Sequence, residues 1–123
     1  MKRFLSLWVP VALYVAMIFW VSSAVRPLPG MRFIPRIDKL YHFLEYAPLG
    51  WLLARALRGS SPRLSWALAA WAAVALAACV AGSDEFYQSF VPGKVSSAWD
   101  ALADVAGSTL GCCYFISRTA KTP

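Results

Sequence analysis

An all-α bundle of four transmembrane helices, with both termini cytoplasmic, is the fold this sequence predicts, and three observations predict it. Of its 123 residues, 59% are apolar. The apolar residues gather into four long runs, and the breaks between the runs hold most of the charge together with turn-forming Pro and Gly. Soluble domains run nearer about 45–50% apolar, and a bilayer span needs about 20 apolar residues. The chain reads as one domain, residues 1–123. Its formal net charge of +6 lies beside and between the hydrophobic runs. That pattern suits phospholipid headgroups and topology signals, whereas nucleic acid calls for a basic stripe on a folded surface, so no nucleic-acid partner is expected. Cys79, Cys112 and Cys113 sit inside apolar runs without any zinc-ligand spacing. They read as buried small hydrophobes, not as a disulfide framework or zinc knuckle.

The first helix is expected over about residues 4–25. Phe4 to Val25 carries no charge, and it is too long and too aromatic (Trp8, Tyr14, Phe19, Trp20) for the short core of a cleaved signal peptide, despite Ser22-Ser23-Ala24. Arg26 to Ile37, with Pro27, Pro29, Gly30 and Pro35, reads as an interfacial loop. Asp38 is placed to cap the second helix, about 38–57, in which Pro48 removes a hydrogen bond to the Leu44 carbonyl. Ser61 and Pro62 are placed as the N-cap and first residue of the third helix, about 63–85. Whether residues 86–91 continue it is open. Pro92-Gly93 signals a turn, and Ser97 with Asp100 resembles a capping box for a fourth helix over about 98–117. Four spans put both termini on one side. Lys2, Arg3, Arg55, Arg58, Arg63, Arg118 and Lys121 share that side, and their excess over the opposite face makes it cytoplasmic.

That topology collects Asp38 to Tyr46, Asp84 to Gln88, Lys94, Asp100 and Asp104 at the outer face. Asp38, His42 and Glu45 stand at i, i+4 and i+7 on one helix face, and Asp84 and Gln88 share another. Asp100, Asp104, Gly107 and Gly111 form a third stripe, whose Gly-x-x-x-Gly pair permits close helix approach. Each polar residue has a bland role available: Asp38 and Asp100 as caps, His42 as a satisfied core histidine, Lys39 as a snorkeller. Together they favour a shared pocket, because an ionisable group near the bilayer core costs about 2.5–3.5 kcal/mol on insertion scales and normally faces a partner or water.

Asp38-Lys39-x-x-His42 with Tyr46, Asp84-Glu85-x-x-Gln88-x-Phe90, the basic Lys94, Asp100, and the paired Gly107 and Gly111 resemble the VanZ-like family of small membrane proteins. The resemblance runs from about Asp38 to Gly111. Two positions depart from it: Lys94 stands where members commonly carry Arg, and Asp104 where they commonly carry Asn. The resemblance implies a multi-pass protein of the bacterial inner (cytoplasmic) membrane. It also implies a loose link to glycopeptide resistance, after the family's namesake.

The function expected is binding or modification of a lipid or lipid-linked headgroup at the outer leaflet. Lys39 and Lys94 would meet a phosphate, and Asp38, Tyr46, Glu85, Gln88, Asp100 and Asp104 would line the site. If chemistry occurs there, His42 is the acid or base, tuned by Asp38 or Glu45, with Asp84 and Asp100 orienting it or holding a divalent cation. A divalent cation is a possible cofactor, with Asp84, Asp100 and His42 as candidate ligands. The alternative is a non-enzymatic structural or accessory protein whose polar cluster only holds the helices together. Membrane lipids are the expected partners, with a homodimer through Gly107 and Gly111 a further expectation.

Overall fold

The computed structural model describes residues 1–24, 37–94 and 96–120. The proline-rich loop expected after Val25, and Lys121, lie outside them. The described residues form four helices and no strand: α1 (Lys2–Ala24), α2 (Ile37–Ser60), α3 (Trp66–Gln88) and α4 (Ala98–Thr119). The all-α expectation therefore holds. Among the described residues, only α1 and α3 are long and apolar enough to cross a membrane by length and composition. Just 17% and 22% of their apolar stretches are buried, so they turn most of their apolar surface outward, unlike the core helix of a soluble protein. Helices α2 and α4 fall short of that apolarity because they carry the polar residues: Asp38, Lys39, Glu45, Arg55 and Arg58 on α2, and Asp100, Asp104 and Arg118 on α4.

Three helix ends differ from expectation. Helix α2 continues to Ser60, with Gly59 packed beneath Leu7 of α1. Helix α3 starts at Trp66 behind an N-cap at Ser65, whose hydroxyl accepts from the Leu68 N–H at 3.1 Å; Ser61 and Pro62 instead lie in the preceding turn. Arg58 explains the delay. Its guanidinium donates to the carbonyls of Pro62 and Leu64 and stacks 4.0 Å from the Trp66 ring, holding residues 61–65 as a turn. At its far end α3 runs to Gln88, which settles the extent of that helix, and the chain then turns at Gly93, φ 84°. That left-handed conformation is one only glycine adopts readily.

Cross-helix contacts set the layout. The Trp8 indole of α1 donates to Ser60 of α2 at 2.8 Å, the Tyr14 hydroxyl to the Glu45 carbonyl at 2.8 Å, and Ser22 to Asp84 of α3 at 2.9 Å. Helix α1 is thus antiparallel to α2, and its end meets the end of α3. The closest packing is between α2 and α4. A Cβ built on Gly107 would come 2.0 Å from the Phe43 carbonyl oxygen, and one on Gly111 would come 1.8 Å from that of Ala47. A Cβ built on Gly50 would in return come 1.9 Å from the Ser108 carbonyl oxygen. Only residues without a side chain allow backbones this near. The Gly-x-x-x-Gly stripe, expected to permit a close helix approach, meets α2 of the same chain.

Helix α3 buries a line of small residues at i, i+4 spacing: Ala69, Ala73, Ala77 and Ala81. One turn further on, the same face becomes Asp84, Glu85 and Gln88, also buried. Of the cysteines, Cys112 alone is buried, while Cys79 and Cys113 are exposed on the outer surfaces of α3 and α4. The expectation that all three are buried fails for Cys79 because α3 gives its core-facing line to alanine, and for Cys113 because the core-facing position of α4 is taken by its neighbour Cys112.

Candidate functional site

The layout brings the end of α1, the start of α2, the end of α3 and the start of α4 to one end of the bundle. Lys39, on the first turn of α2, donates to Asp38 and to Asp100 of α4, both at 2.7 Å. Asp38 is 56% exposed and Asp100 9%, so this pair of bonds runs from the rim inward. Asp38 lies inside α2, which begins at Ile37, and its carboxylate serves Lys39. Asp100 does likewise and does not complete a capping box. Ser97 caps α4 through its hydroxyl, which accepts from the Trp99 N–H at 3.2 Å, while the Ser97 N–H donates to Glu85 Oε2 at 2.7 Å.

One turn deeper, His42 Nδ1 lies 3.0 Å from Asp104 Oδ1, and Asp104 is fully buried. The carboxylate that orients the imidazole is thus Asp104, not Asp38 or Glu45. Asp38 is spent on Lys39 at the rim. The Glu45 carboxylate, half-buried, sits in the combined field of His42, Asp84, Asp104 and Lys94. Lys94, half-buried in the turn between α3 and α4, bonds through its backbone N–H to the Val91 carbonyl at 3.1 Å.

Asp84 belongs to a different contact. Its Oδ2 accepts from Ser22 at 2.9 Å and from Gln88 Nε2 at 2.8 Å, and Gln88 also reaches Ser22 at 3.3 Å. Asp84 and Gln88 share a face as expected, but that face binds α1. Asp84 therefore neither orients His42 nor joins the possible metal ligands. The group that comes together is His42, Glu85 and Asp100, each offering a ligand atom within 4.8 Å of the other two. Ser22 and the Ser97 N–H were not anticipated. The available signal for Ser22 was a hydroxyl at the end of a charge-free helix, on the level of the acids in its neighbours.

Buried atoms lacking a protein partner concentrate here. Among the described residues five buried side-chain N or O atoms make no hydrogen bond, and four are Tyr46 Oη, Asp84 Oδ1, Glu85 Oε1 and Asp104 Oδ2. The fifth, Arg58 Nε, lies at the opposite end. Further along the α2–α4 seam runs an open apolar groove of about 530 Å³, lined by Leu44, Ala47, Pro48, Trp51, Leu110, Gly111 and Tyr114.

The VanZ/LLP1 family model matches residues 3–119. The chain belongs to the VanZ/LLP1 family. The match extends the resemblance of residues 38–111 to nearly the whole chain, so Ser22 of α1 falls within the family's own span. No curated protein and no solved structure matches this VanZ/LLP1 chain.

Proposed function

We propose that this VanZ/LLP1 protein is a four-span protein of the bacterial inner membrane, termini cytoplasmic, whose polar end opens to the outer leaflet. There it binds, or modifies, the headgroup of a lipid or lipid-linked substrate. The observation that carries this reading is the set of three unpartnered buried oxygens on the His42 side of the cluster, Tyr46 Oη, Glu85 Oε1 and Asp104 Oδ2. A cluster whose sole task is to hold helices together satisfies its own atoms, since an unpaired buried polar group costs about 1–3 kcal/mol. Oxygens left unpaired in one place support the reading of a site that receives a partner of its own.

The cations fit the partner's chemistry. Lys39 is about one-third exposed at the rim, and Lys94 stands in the adjoining turn; two ammonium groups at headgroup level are suited to a phosphate. The groove between α2 and α4 offers the matching apolar surface for an acyl chain. Behind the lysines, His42 is the side chain able to move a proton, with Asp104 fixing its orientation. A role near glycopeptide resistance follows only through the family's namesake and belongs to this same proposal.

Asp84 favours a second reading for part of the cluster. Its bonds to Ser22 and Gln88 pin α1 to α3, which is the work of a structural or accessory protein. The two readings divide on lipid retention. Purified protein in non-ionic detergent, mixed with phosphatidylglycerol and phosphatidylcholine, should keep the anionic lipid preferentially in native mass spectrometry. Lys39→Gln and Lys94→Gln should each reduce that retention severalfold. Equal retention of both lipids in the wild type and both variants would leave only the structural reading.

A further inference from the structure

We propose that His42, Glu85 and Asp100 form a binding site for a first-row divalent cation, Mn²⁺ or Zn²⁺. The inference rests on reading the polar end as a pocket and names a cofactor for it. The three ligand atoms come from three helices, α2, α3 and α4, and lie within 4.8 Å of one another. Neighbouring donors in a tetrahedral shell about 2.1 Å from a metal are about 3.4 Å apart, so binding would draw these atoms together by up to about 1.4 Å.

Two further observations single out this cluster. Glu85 is 7% exposed, and although its Oε2 accepts from the Ser97 N–H, its Oε1 is buried without a partner. A carboxylate oxygen in that position calls for a cation or a donor. His42 has a carboxylate behind one ring nitrogen: Asp104 Oδ1 lies 3.0 Å from Nδ1, so Nε2 is the nitrogen that would coordinate. A carboxylate behind the imidazole is the arrangement that fixes the tautomer and raises the basicity of metal-bound histidines. Asp100 contributes similarly, since Lys39 engages its Oδ1 and leaves Oδ2 for the cation.

The donor set determines the class of ion. One imidazole and two carboxylates, without a thiolate, suit Mn²⁺ or Zn²⁺ better than Ca²⁺, which prefers six to eight oxygens. Three protein ligands leave a coordination position for a phosphate oxygen of the headgroup. Lys39 then stands beside the metal as a second positive contact for the same phosphate. Asp104 is a positioning residue that acts through His42, and with the cation bound His42 serves as a ligand in place of moving a proton.

The test is calorimetric titration of the dialysed full-length protein, in detergent without added lipid, with MnCl₂ and separately ZnCl₂. Cys79→Ser and Cys113→Ser in the background remove the two exposed thiols. One ion per chain is expected. His42→Gln and Glu85→Gln should each weaken binding at least about tenfold, and Asp104→Asn about tenfold, the usual reach of such a partner. Bound Mn²⁺ should also show nitrogen hyperfine coupling that vanishes in His42→Gln, a signature no structural role would produce. Absence of binding to either ion, or affinity unchanged in folded Glu85→Gln, overturns the cation site. Anionic lipid retained equally with and without EDTA would do the same while leaving the headgroup pocket standing.

Discussion

His42 of α2 and Asp104 of α4 face each other at 3.0 Å, one turn below the Lys39–Asp100 ion pair, with the Asp104 carboxylate wholly buried. Two contacts, spaced by one helical turn on each side, thus join the starts of α2 and α4. Replacing Asp104 by Asn retains an acceptor for the imidazole and should change stability by less than about 1 kcal/mol. Asp104→Leu strands the imidazole nitrogen and should cost about 1–3 kcal/mol. Thermal unfolding of the three proteins in one detergent measures the difference; equal losses for Asn and Leu would deny the hydrogen bond any part in joining the helices.

Below that pair, glycine sets the spacing. In Gly107→Ala and Gly111→Ala, each new Cβ would meet a backbone carbonyl of α2 within 2.0 Å. Backbone cannot rotate aside as a side chain can, so α4 must retreat. Either variant should lose at least about 1–3 kcal/mol. Gly82→Ala is the control, because nothing lies within 4 Å of that Cβ and alanine is the better helix former by about 1 kcal/mol. It should be neutral or stabilising. A stable Gly111→Ala would contradict the observed α2–α4 approach.

The Ser22–Asp84–Gln88 group predicts a different phenotype from the His42 side of the cluster. Ser22→Ala removes one donor to a buried carboxylate and should cost about 1–3 kcal/mol, the range for bonds to charged groups and for stranded buried ones. Anionic-lipid retention should not change. Retention falling in step with Ser22→Ala, at equal stability, would move α1 into the binding site.

Topology is open to chemical labelling. In a background lacking the exposed Cys79 and Cys113 thiols, a cysteine at Ser96, beside the polar end, should react with a membrane-impermeant maleimide from outside the inner membrane. A cysteine at Arg63, at the opposite end, should react only after permeabilisation. Both positions are exposed. The reverse pattern would turn the pocket toward the cytoplasm.

Much of this fold was legible because long apolar runs separated by Pro and Gly admit few arrangements, and the Gly107–Gly111 stripe announced a close helix contact. The partner of that contact was not legible: nothing in a stripe says whether it meets α2 or a second copy. The site divides in the same way. Spacing put Asp84 beside Gln88 and Asp100 in line with Asp104, since both follow from helical period alone. Which acid meets His42 depends on how α2 is rotated against α4, and Glu85 rather than Asp84 joins His42 because adjacent residues on α3 point about 100° apart. Ser65, not Ser61, capped α3 for a tertiary reason, the grip of Arg58 on the intervening carbonyls.

Tyr46 offers the most direct test of the headgroup pocket. Its side chain is fully buried, and its hydroxyl has no partner among the described residues. Tyr46→Phe therefore removes an oxygen that contributes no bond to the fold. Anionic-lipid retention by native mass spectrometry and the thermal midpoint should be measured together on this variant. A ligand pocket predicts retention reduced severalfold at an unchanged or slightly raised midpoint. Retention equal to wild type, with the midpoint raised, would contradict it and leave the polar cluster as a means of holding the helices together.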